Sequence, residues 1–194
     1  MPKRIALLQG HPDNTEPHLC HRLAETYAEG AVAAGHEVRG IDIAALDFTV
    51  LRSRREWYEA DLPPDLLPAQ QTIAWCEHLV VFFPLWLGDM PALLKAFLEQ
   101  IARPGFAVPR EDAGHATKML SGRSARVVVT MGMPAMVYRL AFRAHAVRAL
   151  ERNILGFVGF SPVDETLVGS VEGLGQAGVR RWGERLRGLG REGR

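Results

Sequence analysis

The sequence predicts an α/β fold, a three-layer sandwich whose five-stranded parallel sheet runs in the order 2-1-3-4-5 with helices on both faces. Three observations carry this. Short apolar runs alternate with longer amphipathic stretches along the chain, as β-α-β units require. The runs are apolar without alternation, as in Leu79-Val80-Val81-Phe82-Phe83, which suits strands covered on both faces. No repeat, low-complexity tract or long linker interrupts the pattern, so residues 1–194 read as a single domain.

The elements follow in order. Ile5-Ala6-Leu7-Leu8 is the first strand. Leu19 to Ala34 has helical spacing at Leu19, Leu23, Tyr27 and Ala31, and stops at Gly35. Glu37 to Ile43 is the second strand and His78 to Phe83 the third. Pro91 opens a helix that runs to Ile101, proline being favourable at a first helical position. Arg126 to Thr130 is the fourth strand, and one long helix is expected over Pro134 to Asn153. Phe157 to Val168 holds the fifth strand, and Glu172 to Leu189 a last helix weakened by glycine. Residues 49–71 are polar, contain Arg52, Arg54, Arg55 and Trp57, and have no clear period; so long a loop is usually a site, a lid or a docking surface.

Composition narrows the function. Apolar residues make up 47% and charged residues 23%, enough for a sizeable core. Lys+Arg 23 against Asp+Glu 22 leaves a net charge of +1, so no nucleic-acid or anionic-membrane partner is expected. The arginines of the last helix read as a solvated face. Two cysteines are too few for a disulfide framework, and no signal-peptide pattern or apolar stretch near ~18 residues is present, so a cytoplasmic protein is expected.

In the predicted strand order, ligands bind beyond the carboxyl ends of strands 1, 3 and 4, at the loops Gly10 to Pro17, Pro84 to Met90 and Met131 to Tyr138. The first leads into a helix start, where free N–H groups favour an anion, with Asn14 and Thr15 as side-chain donors. It matches neither GxGxxG nor GxxxxGK[ST]. His11, His18, His21 and Cys20 invite a metal reading, but no second Cys/His cluster completes a site, and none is expected. In the second loop Trp86 offers an apolar wall and the backbone a polar edge for a planar heterocycle. In the third, Gly132 permits close backbone approach. Tyr138 and His145, seven residues apart, would share a helical face and offer donors to a reducible carbonyl.

Four segments, in order and spacing over roughly residues 3 to 160, carry a family resemblance: Gly10-His11-Pro12-Asp13, Phe83-Pro84-Leu85-Trp86 with Met90-Pro91-Ala92-Leu93-Leu94-Lys95, Pro104-Gly105-Phe106-Ala107, and Thr130-Met131-Gly132. They resemble the NAD(P)H dehydrogenase (quinone) family of flavodoxin-like flavoproteins, which includes mammalian quinone reductases, bacterial drug-activity modulators and ancillary oxidoreductases of potassium efflux systems. The resemblance implies a homodimer carrying a flavin (FMN or FAD), with hydride passing from NAD(P)H to flavin N5 and on to a quinone-like acceptor. It implies His11 and Thr15 at the flavin phosphate, and Pro84, Leu85, Trp86 and Leu87 along the ribityl chain and ring. Thr130, Met131 and Gly132 would follow the pyrimidine edge, and Phe106 would line the substrate pocket near the dimer partner. Tyr138 would lie by the ring, and His145 near a histidine that steadies the reduced ring.

The chain departs from the family at Thr15-Glu16-Pro17-His18, where many members have Thr-Ser-Phe-Asn, at Gly88-Asp89, and at Met131 and Met133-Pro134. Glu16 brings negative charge to the phosphate loop. Two other readings therefore stand beside the reductase: a regulatory or interaction protein with a weakened flavin site, and an electron carrier of the flavodoxin type, which a net charge of +1 disfavours.

Overall fold

The computed structural model describes residues 1–110 and 118–194. Five strands, β1 (Arg4–Gln9), β2 (Glu37–Asp42), β3 (His78–Pro84), β4 (Ser124–Thr130) and β5 (Val163–Val168), form one parallel sheet in the order β2-β1-β3-β4-β5. The helices are α1 (Leu19–Ala33), α2 (Arg54–Glu59), α3 (Leu67–Trp75), α4 (Ala92–Ile101), α5 (Ala135–Leu140), α6 (His145–Ala149), α7 (Gly156–Val158) and α8 (Gly175–Glu192). The predicted fold class and strand order are observed.

Successive strand residues point to opposite faces, which divides the apolar runs between two layers. Ile5, Leu7, Val80, Phe82, Val128 and Val168 pack with Leu23 and Tyr27 of α1 and Leu186 of α8. Leu8, Leu79, Val81, Phe83, Val127 and Val129 pack on the other face with Ile73, Leu94, Phe97, Val147 and Leu150. Each such side chain contributes about 1.5–3 kcal/mol on full burial, against about 1 kcal/mol at most for a surface ion pair such as Arg4–Glu77, so the two apolar layers hold the sheet. Glycines set the closest helix contact: a Cβ on Gly30 would lie 2.2 Å from the Arg187 carbonyl oxygen, and one on Gly190 2.1 Å from that of Tyr27.

Three element expectations need correction. The helix expected over Pro134 to Asn153 is broken: Arg143 and Ala144 are left-handed, with φ of 51° and 48°, and the Ala144 N–H turns back to the Tyr138 carbonyl. The chain re-enters α6 at His145 and continues through a π-helical stretch, Leu150–Leu155. The fifth strand begins only at Val163, because Gly159 (φ 124°) ends α7 and Ser161–Pro162 intervenes. Residues 49–71 are not one loop. Ser53 caps α2 by accepting from the Glu56 N–H at 3.1 Å, and Arg103 ties α2 to α4, its Nη1 donating to the Glu56 and Ala60 carbonyls at 2.8 and 2.6 Å. Among the described residues no helix is long and apolar enough to cross a membrane.

Candidate functional site

The loops after β1, β3 and β4 meet at one end of the sheet. The Gly10 N–H donates to the Phe82 carbonyl at 2.7 Å, drawing the first loop against β3, and the Leu85 N–H donates to the Thr130 carbonyl at 2.8 Å, joining the second to β4. Trp86 closes the group with its ring centroid 5.9 Å from that of His11, the two planes nearly perpendicular.

The first loop is built around Asp13. Its Oδ1 accepts from the Thr15 N–H at 2.9 Å and the Thr15 hydroxyl at 2.6 Å, and its Oδ2 accepts from His18 Nε2 at 2.9 Å. Three donors thus converge on one carboxylate, and the two Thr15 bonds with that from His18 hold its acid well below the usual carboxylate range. Asp13-Asn14-Thr15 has the spacing of an Asx turn, a signal by which this role could have been found in the sequence.

Three histidines gather behind Asp13. His11 stacks on His18 with centroids 4.0 Å apart and planes 17° apart, and His21 lies 5.1 Å from His11 and 5.6 Å from His18. His11 is 6% exposed, and its N–H donates to Gln9 Oε1 at 3.1 Å. Burial first, then the neighbouring His18, lowers the His11 pKa from its ordinary value. His21 Nδ1 accepts from the His18 N–H at 3.2 Å, which anchors the start of α1. Spacing along one helix could not show this cluster, because His11 reaches the other two only through the turn of the loop.

Asp13, Glu16 and His18 also bring potential metal-ligand atoms within 4.8 Å of one another. Asp13 and His18 are hydrogen-bonded to each other, and exposed acids of this kind are common without an ion, so no metal is assigned. Cys20, behind the loop, is buried and its thiol pushed up to about 12; Cys76 is pushed up to about 11. Neither is an activated nucleophile.

In the second loop Trp86 and Asp89 exchange backbone hydrogen bonds at 2.9 Å each way, closing a two-residue turn with Leu87 at φ 50° and Gly88 at φ 82°. That backbone suits Gly88 and strains Leu87, whose side chain stands fully in solvent. Pro84 and Leu85 are half-buried, and Trp86 is 49% exposed.

The third loop is more closed than expected. Thr130 and Met131, expected along the pyrimidine edge, are buried, and the Met131 N–H already donates to the Val168 carbonyl at 2.9 Å. The segment after β5 holds this loop through Ser170 N–H to the Met133 carbonyl (3.0 Å) and Val171 N–H to that of Met131 (3.2 Å). Glu172 covers Gly132: a Cβ there would meet its carboxylate oxygens at 2.9 and 3.0 Å. Nothing in the sequence marked Glu172 as a neighbour of this loop.

Tyr138 and His145 do not share a face, because the left-handed pair Arg143–Ala144 separates them. Tyr138 is 1% exposed with its hydroxyl enclosed and unpartnered, whereas His145 is exposed. Phe106 lies in the turn that follows α4, about 15 Å along that helix from the second loop, and packs partly buried against the core. A cavity of about 620 Å³ lies elsewhere, between α2, α4 and the π-helical stretch, bordered by Trp57, Leu98, Ile154 and Phe157.

Known proteins share this architecture. The chain is 29% identical over 87 residues to the ribosyldihydronicotinamide dehydrogenase-like protein traD of Penicillium crustosum, a match covering 41% of this chain and only 33% of that protein. It is 23% identical over 198 residues to the NAD(P)H dehydrogenase [quinone] 1 of Rattus norvegicus, covering 87% of this chain and 69% of that one. Among solved structures, the NAD(P)H:quinone oxidoreductase from Methanothermobacter marburgensis superposes with a TM-score of 0.83 at 21% identity, covering 99% and 97% of the two chains. The FMN-dependent NADH-azoreductase from Bacillus anthracis str. Ames Ancestor, solved in complex with FMN, does so with a TM-score of 0.72 at 12% identity, covering 99% of each. Matched from residue 3 to residue 186 by the family model described as Flavodoxin-like fold, and built on the strand order β2-β1-β3-β4-β5, the chain belongs to the flavodoxin-like family.

Proposed function

We propose that the chain is a flavin-dependent NAD(P)H oxidoreductase that delivers two electrons to a quinone-like acceptor. One observation carries the reading: the Thr15 N–H, the Thr15 hydroxyl and His18 Nε2 converge on a single anionic group at the start of α1, a donor set that fits a phosphate. The named relatives and the FMN-bound neighbour support the same reading. When bound, the flavin supplies the hydride chemistry, and the protein supplies orientation and electrostatics.

Thr15 and His18 hold the phosphate, with His11 stacked behind His18. Trp86, with Pro84, Leu85 and Leu87, provides the apolar border of the ring. At the third loop Glu172 covers Gly132, and a carboxylate beside an edge that gains negative charge on reduction opposes that reduction unless it moves aside. The enclosed Tyr138 hydroxyl and the exposed His145 are positioned for different tasks, and neither is assigned proton transfer. Phe106 lies too far along α4 to border its own chain's loops, so its place in a substrate pocket belongs to a homodimer, in which a second copy presents it.

The test is the visible spectrum of the purified protein titrated with FMN and FAD, with NADH and NADPH oxidation followed with and without a quinone. A yellow protein bleached by the nicotinamide and recoloured by quinone is expected. A protein that takes up neither flavin sinks the proposal and favours a regulatory role, in which Asp13 keeps the donor set permanently closed.

A further inference from the structure

The His11–His18–His21 cluster carries an inference about how the proposed site is regulated, and it rests on the flavin reading above. Three imidazoles lie within 4.0–5.6 Å of one another, and the pair at 4.0 Å is stacked nearly face to face. Two protonated rings at that distance repel strongly, and among the described residues the charged groups that face the cluster are carboxylates, which offset part of that repulsion. Those carboxylates are Asp13, bonded to His18, and Glu16, beside it in the loop. Asp42 stands one step away, accepting from Asn14 Nδ2 at 3.3 Å. From the second loop the cluster meets the uncharged Trp86, and from β1 the Gln9 amide.

We infer that binding of a phosphate at the first loop is coupled to proton uptake by the His11–His18–His21 cluster, so that affinity for a phosphorylated flavin rises as the pH falls. A phosphate brings up to two negative charges to donors that now share one carboxylate, and each added charge favours imidazolium over imidazole. The lowered His11 pKa leaves that ring free to accept a proton. By linkage, one proton taken up per ligand raises affinity about tenfold per pH unit across the coupled range. Riboflavin, which lacks the phosphate, gains nothing.

Calorimetry of FMN and riboflavin binding in two buffers of different ionisation enthalpy at pH 7 reads the protons directly. Net uptake with FMN, none with riboflavin, and a smaller uptake in His18→Gln, which keeps a donor but cannot titrate, are expected. The phosphate's own second ionisation near pH 6 works in the opposite sense, so uptake identifies the protein's groups. FMN binding with no more uptake than riboflavin, or with uptake unchanged in His18→Gln, overturns the inference and leaves the flavin reading standing. If neither flavin binds, that reading fails, and the histidine Cε1–H resonances of the unaltered protein, titrated with and without inorganic sulfate, still decide the coupling. Sulfate does not titrate in this range: raised histidine midpoints support the coupling, and unmoved ones overturn it.

Discussion

The Asp13 carboxylate holds Thr15 at two points, accepting from its amide at 2.9 Å and its hydroxyl at 2.6 Å, and so takes the donors that the fold offers to an anion. Asp13→Ala releases them. FMN affinity is expected to rise about threefold to tenfold, read by quenching of flavin fluorescence, because the ligand no longer displaces a resident carboxylate. Since the Asp13 pKa is depressed, the stabilisation it lends the fold is present above the ordinary aspartate range and lost as the pH falls below it. The variant should therefore lose part of the acid sensitivity seen in denaturant titrations.

His78 predicts a second pH effect at the other end of the sheet. It is buried beside Ser124, whose Oγ lies 2.8 Å from its Nδ1, and burial, with Lys3 and Arg126 nearby, pushes its pKa down to about 4. The unfolded chain binds the proton near pH 6.5, so the stability due to neutral His78 is intact above that pH. It is lost as the pH falls toward 4, by about 3 kcal/mol at most. Urea unfolding between pH 4 and 8 should show this slope, and it should be shallower in His78→Asn.

Gly190 tests the packing of α8 on α1. A methyl group there would lie 2.1 Å from the Tyr27 carbonyl oxygen and 3.0 Å from the Ala31 nitrogen, both backbone atoms that cannot rotate away. Gly190→Ala should destabilise the protein by about 2–4 kcal/mol, because two helices must separate. Gly188→Ala, two residues earlier with open space around it, should be neutral or slightly stabilising in the same thermal melts.

Leu87 carries strain at the proposed flavin border. It holds a left-handed φ of 50° with its side chain fully exposed, so no packing compensates the backbone. Leu87→Gly should raise stability by about 1 kcal/mol, as a higher Tm. If Leu87 borders the ring as proposed, the same variant should weaken flavin binding several-fold.

The sheet was legible because its strands are nearly uniform apolar runs, and a run such as Leu79 to Phe83 has few alternatives to burial between two layers. The break after Leu140 was not. Arg143 and Ala144 are ordinary helix formers, and their left-handed backbone comes from the Ala144 N–H turning to the Tyr138 carbonyl, not from any residue that signals a stop. Residues 49–71 lacked a period because α2 is short and has no buried residue of its own, held instead by Arg103. The loops that hold His11, Thr15 and Trp86 were readable from their place after strands, whereas Glu172 over Gly132 joins segments 40 residues apart.

The sequence by itself determined the layer order, the strand order and which three loops converge, because apolar periodicity and β-α-β connectivity are local properties whose handedness is general. It also carried the family resemblance in short motifs. Only the tertiary structure decided that Asp13 fills the donor set, that three histidines gather behind it, and that the Met131 N–H is already taken by Val168. Those facts depend on how loops fold across one another, where hydrogen-bond competition over a few ångströms selects one partner among several that composition allows.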